Sequence, residues 1–137
     1  MPSHPANRTI EITRLRPADA PALSALLTAA VEREPESFVT SPGDPDLGPR
    51  ALDARLADPE EHVLVAGAGE WIGTATLSRE RRAKRRHKAE LHRMYVARAW
   101  RGRGVGAALL EHALRAARAM HELEEIGLIV TCHNTGA

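Results

Sequence analysis

The sequence predicts an α/β fold built on a mixed sheet, with elements in the order β-α-α-β-β-β-α-β. Three observations predict it. Apolar strands at 62–66 and 71–77 flank the turn Gly67-Ala-Gly-Glu70, which marks an antiparallel meander. A strand near 89–96 feeds a loop dense in glycine and arginine, and then a long Ala/Leu run with helical spacing. A further apolar run, Ile126 to Thr131, lies beyond that helix, and a strand–helix–strand unit closes as a right-handed parallel crossover.

The chain has 137 residues, enough for one domain over 1–137 with a single core. Ile10 to Leu15 alternates apolar and polar residues and reads as the first strand. Asp19 is placed to cap a helix whose stripe is Leu23, Leu26, Leu27, Ala30 and Val31. From Glu34 to Pro49 the chain is rich in turn formers and reads as a loop. A short helix starts near Pro49, carries Leu52 and Leu56, and stops before Pro59. After the meander, Ser78 to Lys88 is a polar connector with seven basic residues. The helix from Gly104 to about His121 buries Val105, Ala108, Leu109, Ala113, Ala116, Ala117 and Met120, with Glu111 and Arg115 paired on its wet side.

Composition narrows the function. No apolar run is long enough to cross a bilayer, and Met1 to Asn7 lacks a hydrophobic signal region, so no membrane role and a cytoplasmic location are expected. Cys132 is the sole cysteine; it has no internal disulfide partner and is expected to be a small buried apolar group. No Cys/His cluster suggests a metal. Aromatic residues make up only 3%, which disfavours nucleic-acid binding by base stacking. Net charge is +1, but residues 1–78 carry 6 basic and 12 acidic side chains while 79–137 carry 13 and 6. A positive second half suits a polyanionic ligand.

That half contains the most informative motif. Leu91-His-Arg-Met-Tyr-Val96 is followed after four residues by Arg101-Gly-Arg-Gly-Val-Gly106. Glycines let a backbone press close to a ligand and turn its N–H groups inward. A helix starting near Gly104 adds free N–H groups and the positive end of its dipole, while Arg101 and Arg103 add charge. The arrangement makes a site for a diphosphate.

Arg-x-x-Gly-x-Gly at a helix mouth after a strand resembles the acyl-CoA-binding signature of the GNAT family of N-acetyltransferases. The likeness is best over Arg86 to Val130. Glu34-Pro-Glu-Ser-Phe38 is similar to a segment before the second helix in one subgroup, and Asn134 with Ala137 is similar to an Asn-x-x-Ala that opens a following helix. The resemblance implies the GNAT fold as far as strand five, acetyl-CoA as cosubstrate, and an amine acceptor. It implies diphosphate contacts from Arg101, Gly102, Arg103, Gly104, Val105 and Gly106. It also implies strands four and five splayed apart, with the pantetheine arm on the backbone of Met94, Tyr95 and Val96, and a cosubstrate contact at Asn134.

Amine acetylation needs a held thioester, a neutral amine and relief of charge at the oxyanion; a main-chain N–H among Met94 to Val96 could supply the last. A lysine-like amine has a pKa of about 10.4 and must lose a proton. Glu90 is the first choice of base, because counted back from the glycine motif it falls where histone-acetylating relatives place a glutamate. His92 is the second, on its natural pKa. Period-two alternation puts Glu90, His92 and Met94 on one face. The bland readings stand beside these: Glu90 as a partner for Arg85, Arg86 or Lys88, His92 as a hydrogen-bonded strand histidine, Tyr95 as a packing residue, and the Arg79–Lys88 run as a solvated connector.

The resemblance also implies a further helix and two strands after strand five, with a tyrosine that protonates the departing thiolate. The sequence ends before them, so a truncated product, a cleaved chain or completion by a second subunit as a homodimer is expected. The competing readings are a CoA-binding module without turnover, a nucleic-acid binder using the basic run, and a dinucleotide enzyme using Gly102-x-Gly104-x-x-Ala107, whose loop comes too late in the chain for a doubly wound sheet. Small amines, amino acids, antibiotics, peptide N-termini and protein lysines are all open as acceptors, and the Glu34–Arg50 loop is expected to shape their pocket.

Overall fold

The expected elements all form, and the five strands line up in chain order in one sheet. In the computed structural model, which describes residues 10–35, 43–67, 69–82, 84, 86–120 and 123–128, the strands are β1 (Glu11–Arg14), β2 (Glu61–Gly67), β3 (Trp71–Arg79), β4 (Lys88–Val96) and β5 (Glu125–Leu128). The helices are α1 (Ala20–Arg33), α2 (Pro49–Ala57) and α3 (Val105–Arg118). Strands β1 to β4 pair antiparallel, and β4 pairs β5 in parallel over Lys88–Leu91.

Helices cover both faces. On one, α3 seats Val105, Leu109, Ala113 and Ala117 against Leu64, Ala66, Ile72, Ala75, Leu77, Ala89 and Leu91. On the other, Leu23, Leu27 and Val31 of α1 and Leu52 and Leu56 of α2 close over Val63 and Val65. Each fully buried Leu or Val here contributes about 1.5–3 kcal/mol from leaving water. Gly73 makes the close seating of α3 possible: a Cβ there would stand 3.0 Å from Tyr95 O, 3.2 Å from Val105 Cγ1 and 3.3 Å from Leu109 Cδ1.

Three local expectations change. Asp19 occupies the residue before α1, but its carboxylate accepts Arg16 N–H at 2.9 Å, one turn earlier, and makes no bond to the helix mouth. A turn of 3-10 helix, Pro17–Asp19, precedes α1 and uses that side chain. The basic connector is not simply solvated. β3 runs on to Arg79, which is buried and donates from Nε to Arg86 O at 2.6 Å. Arg81 pairs Asp58, Arg86 pairs Glu60 at 2.9 Å, and Lys88 pairs Glu125 at 3.5 Å. Among the described residues of this run, Arg79, Arg81, Arg86 and Lys88 have internal partners, which dilutes the patch a nucleic acid would need.

The third change is in β4. Thr74 pairs Tyr95 and Thr76 pairs His92, so Arg93 and Met94 together face Ala75 across a β-bulge. Arg93 takes φ 51°, the left-handed region. One extra residue reverses the alternation. Ala89 and Leu91 point to α3 before the bulge, and Met94 and Val96 pack on that same cluster after it. Met94 therefore does not share a face with Glu90 and His92; it lies on the opposite side of the sheet.

Candidate active site

The glycine loop is anchored before it is shaped. Ala97 N–H closes on Ile72 O at 2.7 Å, and the 3-10 turn Arg98–Trp100 drops Trp100 into the core beneath α3. Beyond it Gly102 and Gly104 take φ 75° and 85°, and a Cβ on either would meet nothing within 4 Å. Their backbone thus demands glycine while the space beside it stays clear for a ligand. Gly104 precedes α3, and the first helical bond is donated by Ala108 to Gly104 O at 3.0 Å. The amides of Val105, Gly106 and Ala107 have no carbonyl inside the helix to meet. No acidic side chain lies in that first turn to compete for them. A diphosphate fits such a mouth on charge and on shape.

The two arginines of the motif differ. Arg103 is exposed, with Nε on Ala99 O at 3.1 Å. Arg101 is half-buried and committed within the protein. Its Nη2 donates to both carboxylate oxygens of Glu34 at 2.7 and 2.8 Å, its Nε donates to Val96 O at 2.9 Å, and its guanidinium carbon stands 5.8 Å from the Tyr95 ring centre. Glu34 is 5% exposed and also accepts from Tyr95 Oη at 3.2 Å and Arg98 Nη2 at 3.5 Å. Burial alone would raise the pKa of Glu34, but the bonds and charge of Arg101, aided by Tyr95 and Arg98, bring it below the ordinary carboxylate value. Burial and the Glu34 charge push the Tyr95 phenol up, so it stays protonated and donates. The network ties the end of α1 to the end of β4 and the start of the glycine loop. Sequence reading singled out the segment beginning at Glu34 but gave Glu34 itself no role; a glutamate closing an apolar helix stripe beside a proline was the available signal.

Along β4 the main chain changes partners. β5 pairs it only over Lys88–Leu91 among the described residues. Ala97 N–H points to β3, so alternation turns the main chain of Val96 to the other edge, where its carbonyl meets Arg101. That edge, beside Met94, Tyr95 and Val96, is where the pantetheine arm was expected.

Glu90 and His92 do share a face, the one that α1 and α2 cover further along the sheet. Glu90 is exposed, opposite Ser78 on β3 and Gly127 on β5. His92 Nε2 lies 2.7 Å from Ser78 Oγ. Burial, reinforced by the charges of Arg55 and Arg93, lowers its pKa to about 4, so the ring is neutral at pH 7. Among the described residues, His92 is also the first past the β4–β5 pairs, which run to Leu91 with Leu128. Glu90 lies within the paired stretch, about 13 Å along the strand from Met94 at 3.3 Å per residue. Sequence reading missed Ser78 and Arg93 in this group. Asn134 and Cys132 lie outside the described residues.

Two concave regions lie away from these residues. One, of about 330 Å³, is bounded by Glu11, Thr13, Val65 and Trp71. The other lies between Pro17–Pro21 and Pro49–Asp53. Neither includes the glycine loop.

A mixed five-stranded sheet, a bulged fourth strand and a glycine loop opening α3 define a GNAT-type acetyltransferase domain. The profile of the acetyltransferase (GNAT) family matches residues 24–137, and the chain belongs to that family. No protein with a curated description matches the sequence. Solved structures share the fold. A GNAT-family acetyltransferase from Streptococcus pneumoniae is 22% identical with a TM-score of 0.77, the match covering 93% of this chain and 78% of that one. A predicted acetyltransferase with acetyl-CoA from Clostridium acetobutylicum is 16% identical, TM-score 0.71, covering 90% and 82%. An aminoglycoside acetyltransferase from an uncultured soil metagenomic sample, in complex with trehalose, is 20% identical, TM-score 0.69, covering 88% and 76%.

Proposed function

We propose that this chain transfers an acetyl group from acetyl-CoA to a primary amine by direct attack in a ternary complex. The observation that carries the reading is the cradle of Gly102 to Ala107: two left-handed glycines, clear space beside them and unmet amides at the mouth of α3. Membership of the acetyltransferase family supports the same reading. The relative from Clostridium acetobutylicum, described with acetyl-CoA, supports the choice of cosubstrate.

When bound, acetyl-CoA supplies an acyl carbon activated as a thioester. The protein's own groups do the rest. The amides of Gly102 to Gly106 hold the diphosphate, and the exposed side chain of Arg103 adds charge. Arg101 acts through its main chain, since its guanidinium holds Glu34. The outer edge of Met94, Tyr95 and Val96 pairs with the pantetheine amides and offers an N–H to the thioester oxygen. Asn134 is assigned a supporting contact. Glu90, exposed on the strand, takes the amine proton as base, directly or through water; His92 is the second choice for that role. The amine then attacks the acyl carbon with its lone pair free, the C–S bond breaks, and the remaining surplus amine proton is taken up by the departing thiolate, giving the amide and free CoA thiol.

Isothermal calorimetry with acetyl-CoA, paired with thiol release across a panel of amines, tests the proposal. Binding with release of free CoA is the expected result. Binding with no release from any amine points instead to a CoA-holding module, and no binding by folded protein removes both readings.

A further inference from the structure

The His92 ring makes one hydrogen bond among the described residues, with Nε2 at 2.7 Å from Ser78 Oγ. Both side chains are half-buried. They lie on the face of the sheet that carries Val63, since Val63 pairs Thr76 and Thr76 pairs His92. No buried side-chain nitrogen or oxygen among the described residues lacks a partner. Nδ1 has no partner there, so it is not enclosed: it opens at the surface, on the strand that leads to Met94. The ring is gripped at one nitrogen and offered at the other.

Resting on the acetyltransferase reading above, we infer that His92 binds the acceptor amine, accepting one of its N–H groups on a bare Nδ1, and that Ser78 is the positioning residue that fixes the ring for it. The row around Ser78 decides which nitrogen carries the proton. Glu61 on β2 and Glu90 on β4 are both in register with Ser78, and Cβ atoms so paired lie about 4.5–5.5 Å apart. Glu61 Oε1 takes Arg55 at 2.7 Å, while Glu90 is exposed and its carboxylate can turn. Ionised carboxylates only accept, and a hydroxyl has a single proton to donate. With acids on both sides that proton is drawn toward a carboxylate, which leaves Ser78 Oγ to accept from Nε2–H. Burial, reinforced by Arg55 and Arg93, keeps the ring neutral at pH 7, so the Nδ1 lone pair persists. The other tautomer would set an Nδ1–H donor against the amine's own N–H. An amine held on Nδ1 has Glu90, two residues back on the same face, as the base beside it.

Long-range proton–nitrogen NMR spectra at pH 7 distinguish a bare ring nitrogen from a protonated one. The wild-type chain should show His92 with Nδ1 bare and Nε2 protonated. Ser78→Ala, shown by its thermal melt to be folded, should mix the two forms, and Ser78→Thr, which keeps the hydroxyl, should restore the wild-type pattern. Kinetics use the amine that gives the fastest thiol release. For it S78A should raise KM about three- to tenfold with kcat little changed, the pattern of a lost binding contact, and S78T should stay near wild type. A protonated Nδ1 in the wild-type chain, a pattern unchanged in S78A, or an unchanged KM overturns the inference and leaves acetyl transfer standing. Acetyl-CoA binding with no thiol release from any amine counts against the acetyltransferase reading, and the spectra still decide the inference about Ser78 and His92.

Discussion

Glu34 and Arg101 stand 67 positions apart, yet Arg101 Nη2 reaches both oxygens of the Glu34 carboxylate at 2.7 and 2.8 Å. This contact joins the C-terminal end of α1 to the residue that opens the glycine loop. Tyr95, buried in the sheet, donates to the same carboxylate.

Removing the carboxylate should be costly. Glu34→Ala leaves the Arg101 guanidinium without its partner and Tyr95 Oη without its acceptor. Breaking a buried pair costs about 3–5 kcal/mol. The Arg101 side chain is 26% exposed, so water recovers part of that, and about 2–3 kcal/mol is expected. Urea denaturation of the two chains measures it. Weaker acetyl-CoA binding should accompany the loss, because the loop is held through Arg101; calorimetry on protein shown to be folded checks that.

The loop itself depends on its backbone. At φ 85° Gly104 is in a region that costs an alanine about 1–2 kcal/mol. Gly104→Ala should lower stability by that amount and set a methyl beside the amides at the mouth of α3. Acetyl-CoA affinity should drop at least tenfold, more than the stability loss alone would cause. Equal acetyl-CoA affinity in the two chains would separate this loop from diphosphate binding.

His92 makes stability depend on pH with a defined sign. Its folded pKa of about 4 lies below the ordinary 6.5, so the unfolded chain binds the proton more readily. The stabilising contribution is complete above pH 6.5 and is lost as pH falls toward 4. His62, depressed by burial and by Arg14, adds a loss of the same sign as pH falls below 6.5. Thermal melts of wild type and His92→Gln should therefore be compared between pH 7 and pH 4, with the larger drop in wild type. The Glu34 contribution is lost only below pH 4.5, as pH falls through its lowered folded value.

Catalysis should separate Glu90 from His92. Glu90 is exposed and makes no described hydrogen bond, so Glu90→Gln should leave the melting temperature within about 2 °C, as for a surface change under 0.5 kcal/mol. As a general base it should cost about 10²–10⁴ in kcat. Steady-state thiol release between pH 6 and 9.5 checks this, and the loss should shrink at high pH as the amine deprotonates unaided. A loss that is flat with pH would assign Glu90 no role in proton removal.

Much of this architecture was legible because it is local. The spacing of Leu23, Leu27 and Val31 specifies α1 without reference to any partner, and the Gly67–Glu70 turn joins two strands only four residues apart. Gly102 and Gly104 announce a left-handed loop because other residues avoid that conformation. The bulge was legible in principle: the apolar positions of β4 shift from Ala89 and Leu91 to Met94 and Val96, an odd-to-even change that strict alternation does not allow. The site's charge pairing was not legible. Arg101 sits in the loop motif as a ligand-binding cation, and nothing nearby in sequence shows that its charge is met by Glu34.

By itself the sequence determined the order of strands and helices, the glycine cradle at the mouth of α3, and the chemistry such a cradle suits, since each follows from periodicity or backbone freedom over a few residues. Only the tertiary structure decided that Arg101 belongs to Glu34, that Met94 faces α3, and that Arg93 sits in a left-handed bulge of β4. Those outcomes depend on which distant groups share a buried volume, and burial, unlike periodicity, is a property of the packed chain.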